Sequence, residues 1–192
     1  MDKRTKILNS ARSLFSENGY KDTSVSDITK KAGVAAGTFY LYFPSKDQIF
    51  MEIFLEENVK LKKELLAAVN LDQDPLSVIR QVTLLNMQGM MTNPILKQWY
   101  NRDVFLKIEE SYRAENGLER VDFVYDFFLE IVEKWQAEGK MRQDISSRMI
   151  MAMFVSIITM DAHKDEIGLE FFPEILDHMT AFLVNGLTGK KP

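Results

Sequence analysis

Apolar residues recur at three- and four-residue spacing along almost the whole chain, and no stretch alternates apolar with polar residues long enough to make a strand. That period predicts an all-α protein. Ile7, Ala11, Leu14 and Phe15 form a first stripe, closed by Asn18 and Gly19 as a C-cap. Shorter helices are predicted over 24–32 and 36–42. Pro44 breaks the chain before a long helix over 46–69, whose apolar positions include Ile49, Phe50, Ile53, Phe54, Leu61 and Leu65. Past Asp72, Gln73, Asp74 and Pro75, helices are predicted at 75–91, 95–113, 117–138, 146–163 and 170–187. Asn93-Pro94, Asn116-Gly117, Glu138-Gly139 and Gly168 separate them. The sum is about nine helices: a three-helix head, a connecting helix and a larger helical bundle. We divide the chain into an N-terminal domain, 1–47, and a larger C-terminal domain, 48–192.

Composition narrows the function. With 46% hydrophobic and 27% charged residues the chain is of the globular type. It has no cysteine, which excludes disulfides, thiol nucleophiles and thiolate metal sites. Its two histidines, His163 and His178, leave little for a metal enzyme even with Asp161 or Asp177 nearby, and neither a metal nor a cofactor is expected. No phosphate loop or nucleophile motif is present, so an enzyme is not expected. The longest apolar run, 149–155, is far short of a bilayer span. The N-terminal residues run straight into an amphipathic pattern without a signal peptide, and a cytoplasmic location is expected.

Charge is distributed unevenly. The whole chain carries −4. Residues 1–48 hold eight basic side chains (Lys3, Arg4, Lys6, Arg12, Lys21, Lys30, Lys31, Lys46) against five acidic ones, net +3. The remainder is net −7. A basic head on an acidic body is the asymmetry of a chain whose head alone meets a polyanion.

Within the head the informative stretch is 23–43, TSVSDITKKAGVAAGTFYLYF. Ser24 and Asp27 fit a capping box. Ile28 and Ala32 lie one turn apart on a buried face, and small Ala32 lets a following helix cross closely. Gly33 supplies the turn and Val34 fills the corner. Phe39 and Phe43 make the buried stripe of the next helix and leave Gly37, Thr38, Tyr40, Leu41 and Tyr42 outward. Two short helices joined by a tight glycine turn form a helix-turn-helix, whose second helix enters the major groove. Ser45 and Gln48 fit a capping box for the long helix, where the N-terminal amides and Lys46 favour a phosphate.

On these elements, residues 4–50 resemble the DNA-binding domain of the TetR family of bacterial transcriptional regulators. The matching residues are Ala11, Leu14-Phe15, Gly19-Tyr20, Thr23-Ser24-Val25, Asp27-Ile28, Lys31 to Val34, Gly37 to Tyr40, Tyr42-Phe43 and Ser45-Lys46. The resemblance implies that Thr23 or Ser24 contacts phosphate, and that Gly37, Thr38 and Tyr40 face the groove or its edge. It further implies that Tyr42 and Lys46 bind phosphate and that Arg4 or Lys3 reaches the duplex from an N-terminal arm. Ala35 and Ala36 depart from the family's usual polar pair. The recognition helix therefore carries no charge, and Ala36 and Thr38 are expected to read thymine methyls or mixed edges rather than guanine.

Beyond the head the resemblance implies an inducer among the helices of 75–138. Met87, Met91, Trp99, Tyr100, Phe105, Phe123 and Phe127 are its candidate contacts, Met and aromatic side chains being the usual lining of an adaptable apolar pocket. The last two helices are expected to form a homodimer interface through Met149, Met153, Ser156, Met160, Phe172, Met179, Phe182 and Leu183. The function implied is a repressor that binds a pseudo-palindromic operator as a dimer and is released by a small apolar or amphipathic ligand. The alternative is a protein of the same fold with a filled core and no small-molecule inducer, constitutive or controlled by a protein partner.

Overall fold

The computed structural model describes residues 2–101, 104, 122–160, 164–172 and 174–189, all helix, turn or loop, with no strand among them. The chain divides into two compact units: 1–63 with 88–120, and 64–87 with 121–192.

The first unit begins with α1 (Lys3–Asn18), N-capped by Asp2, whose carboxylate accepts the Thr5 N–H at 2.7 Å. That bond holds the Asp2 carboxyl below its ordinary range. Ile7, Leu8, Ala11 and Phe15 bury one face of α1. After α2 (Val25–Ala32) and α3 (Ala36–Tyr40) comes the long α4 (Lys46–Ala68). The centre of the unit is aromatic: Phe15 stands edge-on to Phe50 at 5.0 Å, and Tyr20 packs on the same ring at 4.9 Å. Phe39, Phe54 and Ile28 complete a core from which water is excluded.

Helix α5 (Pro75–Thr92) contributes its last residues to this unit. Asn93 follows and organises the next turn, its side-chain oxygen accepting the Ile95 and Leu96 N–H groups at 2.9 and 3.2 Å. The helix predicted over 95–113 accordingly starts as a 3-10 turn, Leu96–Tyr100, and Asn101 leaves it in an extended conformation. Apart from Val104, the rest of that predicted helix lies outside the described residues.

The second unit contains α6 (Asp122–Ala137), α7 (Ser147–Met160) and α8 (Glu174–Thr188), with α7 packed on both neighbours. Val78, Ile131, Val132, Trp135, Met141, Ile150, Met151 and Leu187 form its core. The helix predicted from residue 170 begins four residues later. Gly168 takes φ +120°, the 3-10 turn Leu169–Phe171 follows, and Phe172 therefore precedes α8 rather than riding on it. Among the described residues no helix is long and apolar enough to cross a membrane.

Candidate nucleic-acid interface

The two short helices of the head are fixed by local chemistry. Ser24 accepts the Asp27 N–H at 3.1 Å while the Asp27 carboxylate accepts the Ser24 N–H at 3.0 Å, the reciprocal pair the sequence predicts. Ser24 holds the Asp27 carboxyl below its ordinary range. Gly33 ends α2 at φ +66°, ψ 38°, left-handed geometry that a side chain would strain. The Val34 N–H then returns to the Thr29 carbonyl at 3.0 Å.

Helix α3 is short, and Tyr42 and Phe43 extend it by bonding their N–H groups to the Phe39 carbonyl at 3.0 and 2.9 Å. Phe39 and Phe43 are buried, as their spacing predicts. The opposite side is open: Tyr40 is 59% exposed, Leu41 80% and Tyr42 41%. Ala36 and Gly37 are exposed and Thr38 is half-buried. The structure therefore gathers Ala36, Gly37, Thr38, Tyr40 and Tyr42 on the uncharged recognition element, and Ser24 stands exposed at the start of α2.

Three of the predicted phosphate contacts have partners within the protein. Thr23 is buried; its hydroxyl donates to the Gly19 carbonyl at 2.8 Å and lies 3.3 Å from that of Leu14, closing the corner between α1 and α2. Of the Thr23–Ser24 pair only Ser24 has its side chain in solvent. The Lys46 ammonium donates to the Tyr20 and Thr23 carbonyls at 2.9 and 3.0 Å and sits 4.2 Å above the Tyr20 ring centroid. Two of its three donors are thus used inside the protein. Arg4 lies within α1, not on an extended arm. Its guanidinium bonds both Glu52 carboxylate oxygens at 2.7 and 2.6 Å and covers the Phe43 ring, 4.9 Å from the centroid. The Glu52 carboxylate raises the Arg4 pKa accordingly.

Tyr20, which the resemblance matched without a role, and Asp47 are partners that the sequence did not pair. The Tyr20 hydroxyl donates to the Asp47 carboxylate, and burial first, then that bond, raises the Tyr20 pKa. With Lys46 beside them, they lock the first turn of α4 onto the α1–α2 corner. Their signal in the sequence is a tyrosine immediately after a helix-ending glycine. A second tie joins α1 to α4: Arg12 pairs with Glu56 and Glu57, and Glu57 also accepts the Asn93 amide at 3.0 Å. Lys31 donates to Ser13 and Glu17. Of the head's cations, Lys3, Arg4, Lys6, Lys21, Lys30 and Lys31 are exposed.

The candidate ligand contacts divide between the units. In the first, Trp99 stacks on Phe54 with centroids 5.9 Å apart and Tyr100 packs against the same core, while Met91 is exposed. In the second, Met87, Phe123 and Phe127 are half-buried, and Phe127 meets Phe128 edge-on at 5.4 Å. Phe105 lies outside the described residues, as do Asp161 and His163. His178 stacks on Phe182, and Asp177 takes the Arg80 guanidinium at 2.8 and 3.0 Å. Of the dimer candidates, Met149, Ser156, Met179 and Phe182 are exposed, whereas Met153, Met160, Phe172 and Leu183 are half-buried.

A tight-turned helix pair with an open, hydroxyl-bearing reading face defines a helix-turn-helix, DNA-binding regulator of transcription. Residues 7–53 match the model of the bacterial regulatory proteins of the tetR family. The HTH-type transcriptional regulator YdgC of Bacillus subtilis is 31% identical over 135 residues, covering 62% of this chain and 68% of that protein. YvdT, another HTH-type transcriptional regulator of that organism, is 26% identical over 172 residues, covering 88% of this chain and 84% of that protein. The chain belongs to the TetR family. Its fold matches the Bacillus subtilis regulator FadR, solved in complex with stearoyl-CoA, with a TM-score of 0.60 over 98% of this chain and 99% of that one at 19% identity.

Proposed function

We propose that this regulator is a repressor that binds a pseudo-palindromic operator as a two-fold dimer and releases it when a small apolar or amphipathic molecule occupies its body. The observation that carries the dimer is the set of large apolar side chains left in water on α7 and α8: Met149, Val155, Ile158, Met179 and Phe182. Scattered single residues of this kind are ordinary, but a concentration on two adjacent helices marks a protein interface. Two copies then present two recognition elements to successive grooves, about 34–36 Å apart or a multiple of it. The functional division is a reading segment, 1–47, and a sensing and dimerising segment, 48–192, in a cytoplasmic protein.

For the ligand, the reading rests on Met87, Phe123 and Phe127, half-buried side chains of the second unit, and on the acyl-CoA ligand of FadR. Helix α4, locked to the head by Lys46 and Asp47, is the proposed route from ligand to groove. A ligand releases DNA only if it binds the DNA-incompetent form better. The coupling expected is about 1–3 kcal/mol, and operator DNA must weaken the ligand by the same factor. One specific observation favours the inducer-free alternative: Trp99 and Tyr100 are spent on the core of the first unit. Thermal shift against a panel of apolar metabolites that includes a long-chain acyl-CoA separates the two. A compound that raises the Tm and weakens a selected duplex supports the repressor; a panel without such a compound turns the choice to the alternative.

A further inference from the structure

Helix α4 carries two polar residues on its buried face. Met51, Leu55, Asn58, Lys62 and Leu65 follow one another at four- and three-residue steps, so they share one side of the helix. Met51, Leu55 and Leu65 are buried, as that side requires. Asn58 is buried with them, only 9% exposed. Among the described residues its side-chain amide has no hydrogen-bond partner. Every sealed side-chain nitrogen and oxygen among them is bonded, so the Asn58 amide keeps a little accessible surface. The small opening of Asn58 therefore lies at its polar end. Lys62, one turn on, is half-buried, while Lys60, Lys63 and Glu64 stand exposed. A lysine can bury its stem and leave its ammonium in water. Here burial reaches the charge and lowers the ammonium to about 8. A buried amide without a partner and a charge withdrawn from water both cost stability, and leucine at either place avoids the cost.

We propose that Asn58 and Lys62 anchor the carboxylate of the small molecule to which this regulator responds. The Lys62 ammonium pairs with one carboxylate oxygen, the Asn58 amide N–H donates to the other, and the apolar remainder of the ligand is left to the apolar side chains around them. Four residues apart on a helix, the two side chains are neighbours, with about 5–6 Å between Cβ atoms, a gap that one carboxylate spans. One cation and one amide suit a monoanion. A phosphate, with more charge and three acceptor oxygens, asks for more donors. The inference rests on the small-molecule reading and gives that molecule its head group: an apolar carboxylic acid.

The test uses the full chain, with calorimetry and thermal unfolding. The probes are hexanoate, decanoate and palmitate, each beside the alcohol of the same chain, and decyl phosphate. The best-fitting carboxylate should bind at least about tenfold more tightly than its alcohol. Lys62→Met should abolish that preference and leave alcohol binding unchanged, and Asn58→Leu should reduce it about fivefold. Neither variant should melt lower than the wild type without ligand. Equal binding of acid and alcohol by the wild type overturns the inference and leaves the small-molecule reading intact. So does a preference that survives Lys62→Met, or decyl phosphate binding more tightly than decanoate. A lower melting temperature in both ligand-free variants also overturns it, returning the pair to the fold. A wild-type chain that binds none of the acids or alcohols takes the small-molecule reading down with it.

Discussion

The first unit hides most of its apolar residues and the second leaves several in water. In the head Phe15, Phe39, Phe50 and Phe54 are fully buried, and the large exposed residues cluster on the recognition element as Tyr40, Leu41 and Tyr42. In the second unit the exposed set is Leu84, Met149, Val155, Ile158, Ile167, Phe171, Met179 and Phe182. The chemistry of the two sets differs. Two tyrosines each join an apolar ring to a hydroxyl that can bond a phosphate or a base edge, which suits a wet and anionic partner. Met, Val, Ile and Phe offer no such handle and suit another protein surface. The two units thus leave different chemistries in water.

The contrast breaks most sharply at a buried residue. Phe39→Ala should cost about 3–5 kcal/mol by emptying the core beneath α3. Thermal unfolding should show that loss, with duplex binding lost alongside it. Next in size, Phe182→Ser should leave the monomer's helicity intact and shift the monomer–dimer equilibrium by at least about tenfold. Sedimentation velocity reads that shift, and an unchanged equilibrium would remove Phe182 from the interface.

Smaller effects sharpen the head. Thr23→Val should destabilise by about 1–2 kcal/mol, because the Gly19 carbonyl loses its buried partner. The salt dependence of duplex binding should not move, since that hydroxyl is buried and bonded to the Gly19 carbonyl. Lys46→Met should likewise lower the Tm while leaving the salt slope alone; a slope flatter by about one unit would put the ammonium back on phosphate. A further effect is one of pH. Burial lowers the half-buried Lys62 ammonium to about 8 from its ordinary 10.5. Between those values the unfolded chain holds more protons than the folded one, so stability should rise with pH from 8 to 10. Lys62→Met should flatten that rise in isothermal denaturant titrations.

The helical class and the reading face were legible because both are periodic. Phe39 and Phe43 announce their burial by a four-residue spacing, and that spacing leaves Tyr40 and Tyr42 outside. The capping box of Ser24 and Asp27 is local and equally plain. What escaped was tertiary. The Tyr20 and Thr23 carbonyls beneath Lys46 are brought there only by the fold. Arg4 looked like a mobile arm because Glu52 is 48 residues away. The 3-10 turn at Leu96–Tyr100 carries helical spacing in its residues, and the bonds from Asn93 tighten it.

The claim that the head's exposed face takes DNA while the second unit's takes another copy is tested most directly by stoichiometry. Light scattering would be run on the full chain with a duplex selected by it, and with the same duplex cut to one half-site. The account predicts two chains per full duplex and a loss of affinity of at least about a hundredfold on the half-site, with Phe182→Ser reproducing that loss on the intact duplex. One chain per full duplex, bound as tightly by Phe182→Ser as by the wild type, would contradict it.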